Sequence, residues 1–473
     1  MSRRSLALFA LCGASFLAFL DTTIVNTSFP SIGESFEDAS PAELSWILDG
    51  YFIVFAALLI PAGGIADRVG RRRVFLVGVA AFTLSSLLCA VAPTWEALIA
   101  ARVLQGTAAA VIAPVSLALI LGQYPAERRA AGIGVWGASA ALAAACGPPL
   151  GGLLVEVADW RWIFLVNLPI GALVIAAGVR ALDESRDEDA TGLPDLLASA
   201  LVAVGLALLA LGIVEGNNWG WGSPRVIGAF AAAAVLVAVV ARRCLTHPRP
   251  LVDPALMAIA SFRRANLATL LFAAAFFSTI LGNILFLTGV WGYDVLHAGL
   301  ATIPGPLATT FASQPAGRLA DRFGHRAVIV PGCLLYATGL LVLRSAGGEP
   351  DWAGTWLPGM VIQGIGVGLA FPTLGAAAAA DIDEARFGVA SAVTSAFRQF
   401  GAVLGTAILI AIVGQPTTLA AALAASDDAY LFGVGSVLGA AVVAGTIVTR
   451  RVLAPPHDPR TIAAGPPEAA IGV

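Results

Sequence analysis

Gly63-Gly-Ile-Ala-Asp67-Arg68-Val-Gly70-Arg71-Arg72 decides how this chain is built, because it returns as Gly317-Arg-Leu-Ala-Asp321-Arg322-Phe-Gly324-His-Arg326. The copies stand 254 residues apart (317 minus 63). A second pair follows in the same order. Arg102-Val-Leu-Gln105-Gly106 with Pro114 comes back as Met360-Val-Ile-Gln363-Gly364 with Pro372, 258 residues on (360 minus 102). Gly147-Pro-Pro-Leu-Gly151 has a fainter echo in Gly401-Ala-Val-Leu-Gly405, again at 254 (401 minus 147). Three ordered matches at nearly one offset describe two halves related by duplication. Parallel halves of this kind place a substrate site between them, near the bilayer midplane.

Both copies of the first segment close an apolar run, and the runs continue outward in both directions. A membrane span needs about 20 apolar residues. Runs of that kind lie near 6–28, 47–66, 74–92, 97–121, 131–156, 162–180, 195–214, 226–241, 265–290, 299–316, 327–344, 355–380, 387–413 and 429–448. The connecting segments alternate in charge. One set carries Arg3/Arg4, Arg68/Arg71/Arg72/Arg73, Arg128/Arg129, Arg180/Arg186, Arg242/Arg243/Arg249/Arg263/Arg264, Arg318/Arg322/Arg326, Arg386 and Arg450/Arg451. The other set is acidic or neutral, as in SIGESFEDASPAE, EVADW and AGGEPDWAG. Such alternation places both termini in the cytoplasm and requires an even number of spans. The expected fold is an all-α polytopic membrane protein of about fourteen spans. Residues 1–181 form an N-terminal six-helix bundle, 182–264 a linker with two additional transmembrane helices, and 265–450 a C-terminal six-helix bundle. Residues 451–473, rich in Pro and Gly, form a disordered cytoplasmic tail.

Composition agrees. Of 473 residues, 58% are hydrophobic and only 12% charged, against roughly 25% charged in an average soluble domain. The mean hydropathy is +0.86. A net charge of -3 argues against nucleic acid, which needs clustered positive charge. Five scattered cysteines (Cys12, Cys89, Cys146, Cys244, Cys333) and four histidines form no metal-ligand or redox spacing, so no metal is expected. Arg3 and Arg4 precede an apolar run too long for a cleavable signal, which is expected to stay as the first span. The sequence holds no HExxH, no Ser/His/Asp set and no nucleotide loop, so an enzyme is not expected. No polar pore-lining helix repeated by symmetry suggests a channel.

Charges inside spans are expensive in lipid, and they carry the chemistry. Asp21 falls within the first span. A carboxyl removed from water can take up and release a proton as its surroundings change; the other reading is a structural Asp bonded to a neighbouring Thr or Asn. Asp49, a few residues into the second span, could equally be a proton or a cation site. Arg102 has Met360 as its repeat partner although Gln105 and Gly106 are retained, so packing there does not demand a cation and a functional one is expected. Arg398, in SAFRQFG, either faces substrate or snorkels. In the paired loops, the glycines Gly63 and Gly70 permit a tight turn. Asp67 and Asp321 can accept bonds from a helix N-terminus, and Arg68, Arg71 and Arg322 hold the loops at the headgroups. The expected role is a gate that locks the halves in one state. Gly147, Pro148, Gly151 and Gly152 imply a bent helix packed tightly, against the second half. Phe19, Asn26, Tyr51, Gln105, Trp136 and Arg398 are the candidates for a substrate cavity; aromatics in spans more often face lipid or core.

These segments resemble the major facilitator superfamily, and within it the fourteen-span drug:H+ antiporters. Leu20-Asp21-Thr22-Thr23-Ile24-Val25-Asn26 with Pro30 is similar to their first-span signature, and Trp46-Ile-Leu-Asp49-Gly-Tyr51 to the start of their second. Arg102-x-x-Gln105-Gly106 resembles their fourth span and Gly147-Pro148-x-x-Gly151-Gly152 their fifth-span antiporter motif. Trp160-Arg161-Trp162-Ile-Phe-x-x-Asn167-x-Pro169-x-Gly171 resembles their entry to the sixth. The resemblance covers about residues 15–450. Departures are the alanine-rich stretch 140–145, where the family pattern has further glycines, and His325 in place of an Arg71 equivalent.

The resemblance implies proton-coupled efflux of amphipathic drugs or antibiotics across the cytoplasmic membrane by alternating access. Asp21, Asp49 and Arg102 would couple protons, and the fifth-span motif would govern leak and direction. The implied partners are a small amphipathic substrate, protons and the lipid bilayer, with the proton gradient as energy source, no cofactor, and a monomer as the working unit. The alternative on the same fold is an exporter of an endogenous metabolite, lipid or siderophore.

Overall fold

The computed structural model describes residues 2–124, 129–186, 195–383 and 386–448. The tail 451–473, Arg128 and Arg450/Arg451 lie outside the described residues. Long helices run through the rest: α1 Arg3–Ser35, α2 Pro41–Val69, α3 Arg71–Ala90, α4 Trp95–Leu121, α5 Arg129–Val157 and α6 Trp162–Ala181 in the first half. Next come α7 Leu196–Val214 and α8 Pro224–Thr246. The second half holds α9 Ala260–Gly289, α10 Pro304–Phe323, α11 Arg326–Arg344, α12 Trp352–Ala379, α13 Phe387–Val413 and α14 Leu419–Gly445. Helices satisfy their own backbone, which is what a segment in hydrocarbon must do.

Among the described residues, thirteen of these helices are long and apolar enough to cross a membrane. The exception corrects the tenth expected span, 299–316. Its helix starts later, at Pro304, and runs into the repeated loop to Phe323, taking in Arg318, Asp321 and Arg322. Those charges and its Thr and Ser residues remove it from the apolar set. At 20 residues it is still about 30 Å long, the thickness of a hydrocarbon core.

Helix starts follow local chemistry. Ser40 caps α2 through a reciprocal box: its Oγ accepts from Glu43 N at 3.2 Å, and its own N donates to Glu43 Oε2 at 2.8 Å, with Pro41 at the first helical position. Thr94, Ser223 and Thr418 cap α4, α8 and α14. Asp195 caps α7 and pairs with Arg243 of α8 at 2.9 Å, a bond that holds its carboxyl below the usual carboxylate range. The outward residues are apolar: Val77, Leu84, Leu173, Val235 and Phe311 are all more than half exposed. A water-soluble protein would hide them; lipid accepts them.

Contacts sort the connections onto two faces. On one, Arg3 pairs with Asp183, Arg4 lies over Tyr124, Arg264 donates to Thr446 O and Arg386 pairs with Asp253. This is the arginine-rich face. On the other, Trp160 Nε1 donates to Ser35 Oγ at 2.9 Å, and Trp291 Nε1 to Gly347 O at 2.9 Å. This face carries the acidic and neutral loops.

The halves repeat in space as in sequence. In the first, α2 packs on α4 and α1 on α5; in the second, α10 packs on α12 and α9 on α13. The echoed glycines do the same job twice. Gly147 and Gly151 lie against Thr23, Ile24 and Thr27 of α1, while Gly401 and Gly405 lie against the α9 backbone at Leu270 and Ala274. The extra pair stands at the seam. α7 touches both α2 and α13, and Asn217 after it donates to Ala411 O at 2.6 Å. Most of α8 is open, with only Val226, Ala229 and Ala233 buried.

Candidate functional site

Asp21 and Arg102, 81 positions apart, meet in the middle of the first half. Arg102 Nη1 donates to Asp21 Oδ2 at 2.6 Å and to Gln105 Oε1 at 2.5 Å. Asp21 Oδ1 accepts from Gln105 Nε2 at 2.8 Å and from Asn167 Nδ2 at 3.3 Å. The same two amides reach Ser86 Oγ at 2.7 and 3.3 Å, and Arg102 Nε donates to Ile47 O at 3.1 Å. Tyr51 covers the guanidinium, its ring centroid 4.2 Å from Cζ. Side-chain exposure is 1% for Arg102 and 0% for Asp21. Five helices, α1, α2, α3, α4 and α6, thus close on one ion pair. In a low dielectric such a pair is tolerable only when its remaining hydrogen-bonding capacity is met, and here neutral side chains meet it.

At the repeat position of Arg102 the arrangement is neutral. Met360 Sδ accepts from Gln363 Nε2 at 2.8 Å and from Asn283 Nδ2 at 3.6 Å, and Tyr430 Oη donates to Asn283 Oδ1 at 3.0 Å. The asymmetry read from the two sequences is therefore an asymmetry of two buried networks.

Asp49 stands apart from the pair. It is fully buried, and neither carboxyl oxygen has a hydrogen-bond partner among the described residues. Of the expected cavity residues, Tyr51 and Gln105 belong to the ion-pair network. Asn26 is buried and bonded to its own helix at Thr22 O, 2.6 Å away. All three are buried. Phe19, Trp136 and Arg398 are half-buried and come together at the seam between α1, α5 and α13.

The repeated loop differs from expectation in its cap. Asp67 Oδ1 accepts from Arg71 Nε at 2.8 Å, four residues on, rather than from a helix N-terminus. The α3 N-terminus is capped instead by Glu184: Arg72 N and Arg73 N donate to its two oxygens at 3.0 and 3.2 Å, and Arg71 N donates to Ser185 O at 2.9 Å. Gly70 makes this possible, with φ +125° and a Cβ position that would lie 2.7 Å from the Glu184 carboxyl. Gly324 repeats the turn at φ +90°, whereas Gly63 and Gly317 have open space around them. These bonds tie the loop to the segment after α6, not to the second half. Ser86, Asn167 and Glu184 were not singled out by sequence reasoning; Asn167 alone carried a signal, as part of the motif entering the sixth span.

The halves meet on the acidic face. A Cβ on Gly152 would lie 2.7 Å from Leu296 Cα, and one on Gly299 2.5 Å from Pro148 O. Backbone thus touches backbone between the stretch 148–152 of α5 and the short helix Val295–Ala301. Deeper in the seam, Phe52 of α2 meets Phe277 of α9 with ring centroids 5.3 Å apart.

The family model of the Major Facilitator Superfamily matches residues 11–303 and 266–469. The chain belongs to the Major Facilitator Superfamily. Within this superfamily it is 35% identical over 404 residues to a methylenomycin A resistance protein of Streptomyces coelicolor, covering 85% of this chain and 84% of that one. It is 35% identical to the multidrug resistance protein Stp of Mycobacterium tuberculosis, covering 88% and 76%. It is 33% identical to the cephamycin export protein CmcT of Amycolatopsis lactamdurans, covering 91% and 90%. A solved bacterial homologue of the human lysosomal transporter Spinster superposes with a TM-score of 0.64 at 16% identity, covering 94% of this chain and 96% of that one. That likeness is one of fold. The chain is a multi-pass membrane protein of a transporter superfamily.

Proposed function

We propose that this protein exports an amphipathic drug or antibiotic across the cytoplasmic membrane in exchange for protons, by alternating access. The observation that carries the reading is the sealed Asp21–Arg102 network, built in one half and replaced by neutral groups in the other. A proton arriving on Asp21 removes the charge that holds the guanidinium. Arg102 is then free to reorganise against Gln105, Tyr51 and the Ile47 carbonyl, which loosens the contacts among α1, α2 and α4. Asp49, buried with no hydrogen-bond partner among the described residues, is the second proton site. Substrate and protons act by binding the two conformations unequally, since equal affinity would shift nothing.

In this reading the acidic face is the outer one, sealed by α5 against Val295–Ala301, and both termini lie in the cytoplasm. The protein works as a monomer, and the proton gradient supplies the energy without a cofactor. The relatives named for antibiotic resistance support a drug-like cargo. A second reading, export of a metabolite the cell makes itself, is favoured by the likeness to a cephamycin export protein.

The test is transport in proteoliposomes under an imposed pH gradient, with cationic, neutral and anionic amphipathic compounds offered to wild type and Asp21→Asn. Gradient-driven uptake is expected for some compounds in wild type and for none in the variant. If every transported compound ignores both the gradient and the substitution, Asp21 does not couple protons.

A further inference from the structure

Arg398 is a further charge deep in a span, and the ion-pair network does not use it. It is the twelfth residue of α13, roughly 18 Å from the start of that helix. Its guanidinium sits 5.7 Å from the centroid of Phe19, across the seam in the first half. Phe19 meets Trp136 edge to face, centroids 6.0 Å apart at 82°, and Trp136 is itself fixed by an indole N–H donated to Ser116 Oγ at 3.0 Å. Two aromatic rings from α1 and α5 and one guanidinium from α13 therefore lie together, all three half-buried.

Among the described residues no acid pairs with Arg398. The two acids buried within the spans are already placed: Asp21 is held by Arg102, and Asp49 has no accessible surface. The seam therefore presents an uncompensated positive charge beside flat apolar surfaces. Such a charge is costly in a membrane and marks a ligand pathway unless something pairs with it. A guanidinium binds carboxylate-like groups through two parallel hydrogen bonds, and aromatic faces take a flat apolar body.

From this convergence we infer that the cargo is an amphipathic anion, a flat apolar body carrying a carboxylate, phenolate or sulfonate that pairs with Arg398 while the body lies against Phe19 and Trp136. The inference rests on the export reading for its biological sense, but the binding site is testable without transport. Hydrophobic cations are disfavoured at this site, because like charge meets like.

The experiment measures equilibrium binding of 1-pyrenebutyrate, 1-pyrenebutanol and 1-pyrenebutylamine to purified protein in phosphatidylcholine nanodiscs, with empty discs subtracted. The three probes share one ring system and a butyl linker and differ in the head group, which is anionic, neutral or cationic. Wild type is expected to bind the butyrate at least about tenfold tighter than the alcohol, with the amine weakest. Arg398→Gln brings the butyrate down to the alcohol and leaves the alcohol within about twofold, while Arg398→Lys retains part of the preference. Three equal affinities in wild type, preference for the amine, absence of saturable binding, or an undiminished butyrate preference in Arg398→Gln each overturns the assignment. The wild-type comparison decides the matter even if a variant fails to fold. An intact butyrate preference with no gradient-driven transport would instead count against export and leave the site standing.

Discussion

Arg102→Met copies the second half into the first and tests the ion pair directly. Arg102 donates to Ile47 O, Asp21 Oδ2 and Gln105 Oε1, at 3.1, 2.6 and 2.5 Å. The substitution deletes all three bonds and leaves Asp21 with two neutral amides and no counter-charge. Breaking one side of a buried pair costs about 3–5 kcal/mol. The double variant Asp21→Asn/Arg102→Met removes both charges, and neutral replacement of a whole buried pair is often without cost. It should therefore recover most of the lost stability, with an interaction energy of about 2 kcal/mol or more between the sites. Transport should not recover, because no proton acceptor remains at Asp21. The assay is a double-mutant cycle of unfolding in mixed micelles, run beside proteoliposome transport. A single Arg102→Met variant as stable and as active as wild type would refute the reasoning. A double variant less stable than either single one would refute the energetic coupling.

Two further outcomes follow from the loop and the seam. Glu184→Ala uncaps α3 and should cost about 0.5–2 kcal/mol of stability, with Glu184→Gln intermediate because it keeps a hydrogen-bond acceptor but loses the charge; a melting temperature unchanged in both would show the cap to be incidental. Gly152→Leu drives a side chain into the Val295–Ala301 backbone and should part the acidic face. Faster maleimide labelling of a cysteine introduced by Leu296→Cys in an otherwise cysteine-free chain would report the parting, and an unchanged rate would mean that closure does not depend on that contact.

Fold was legible wherever the signal is local. Length of apolar run, loop charge and the repeat at 254 residues located the helices, the two halves and the pair between them. The one apolar run that misled, 299–316, did so because a helix boundary depends on its caps and neighbours: Pro304 starts the helix and Gly324 ends it, beyond the apolar stretch. At the site, Asp21 and Arg102 were visible as charges in hydrocarbon, each suspicious by its cost alone. Their pairing was not visible, because contact between helices depends on how each one is rotated about its axis, and that rotation is not written in composition. Asp67 shows the same limit. A carboxylate near a helix N-terminus was expected, and one is present, but it is Glu184, brought from 112 positions away by the turn after α6.

The sequence by itself thus determined that the chain spans a membrane in two duplicated halves, and that a cation stands in one half where the other has methionine. Periodicity, hydropathy and repeated motifs are properties of neighbouring residues and survive without coordinates. Tertiary structure alone decided that Arg102 faces Asp21, that the Asp49 carboxyl has no hydrogen-bond partner among the described residues, that Arg398 reaches Phe19 across the seam, and that the halves touch through Gly152 and Gly299. Those are facts of rotation and approach between helices far apart in the chain, set by packing of small against large side chains rather than by any local pattern.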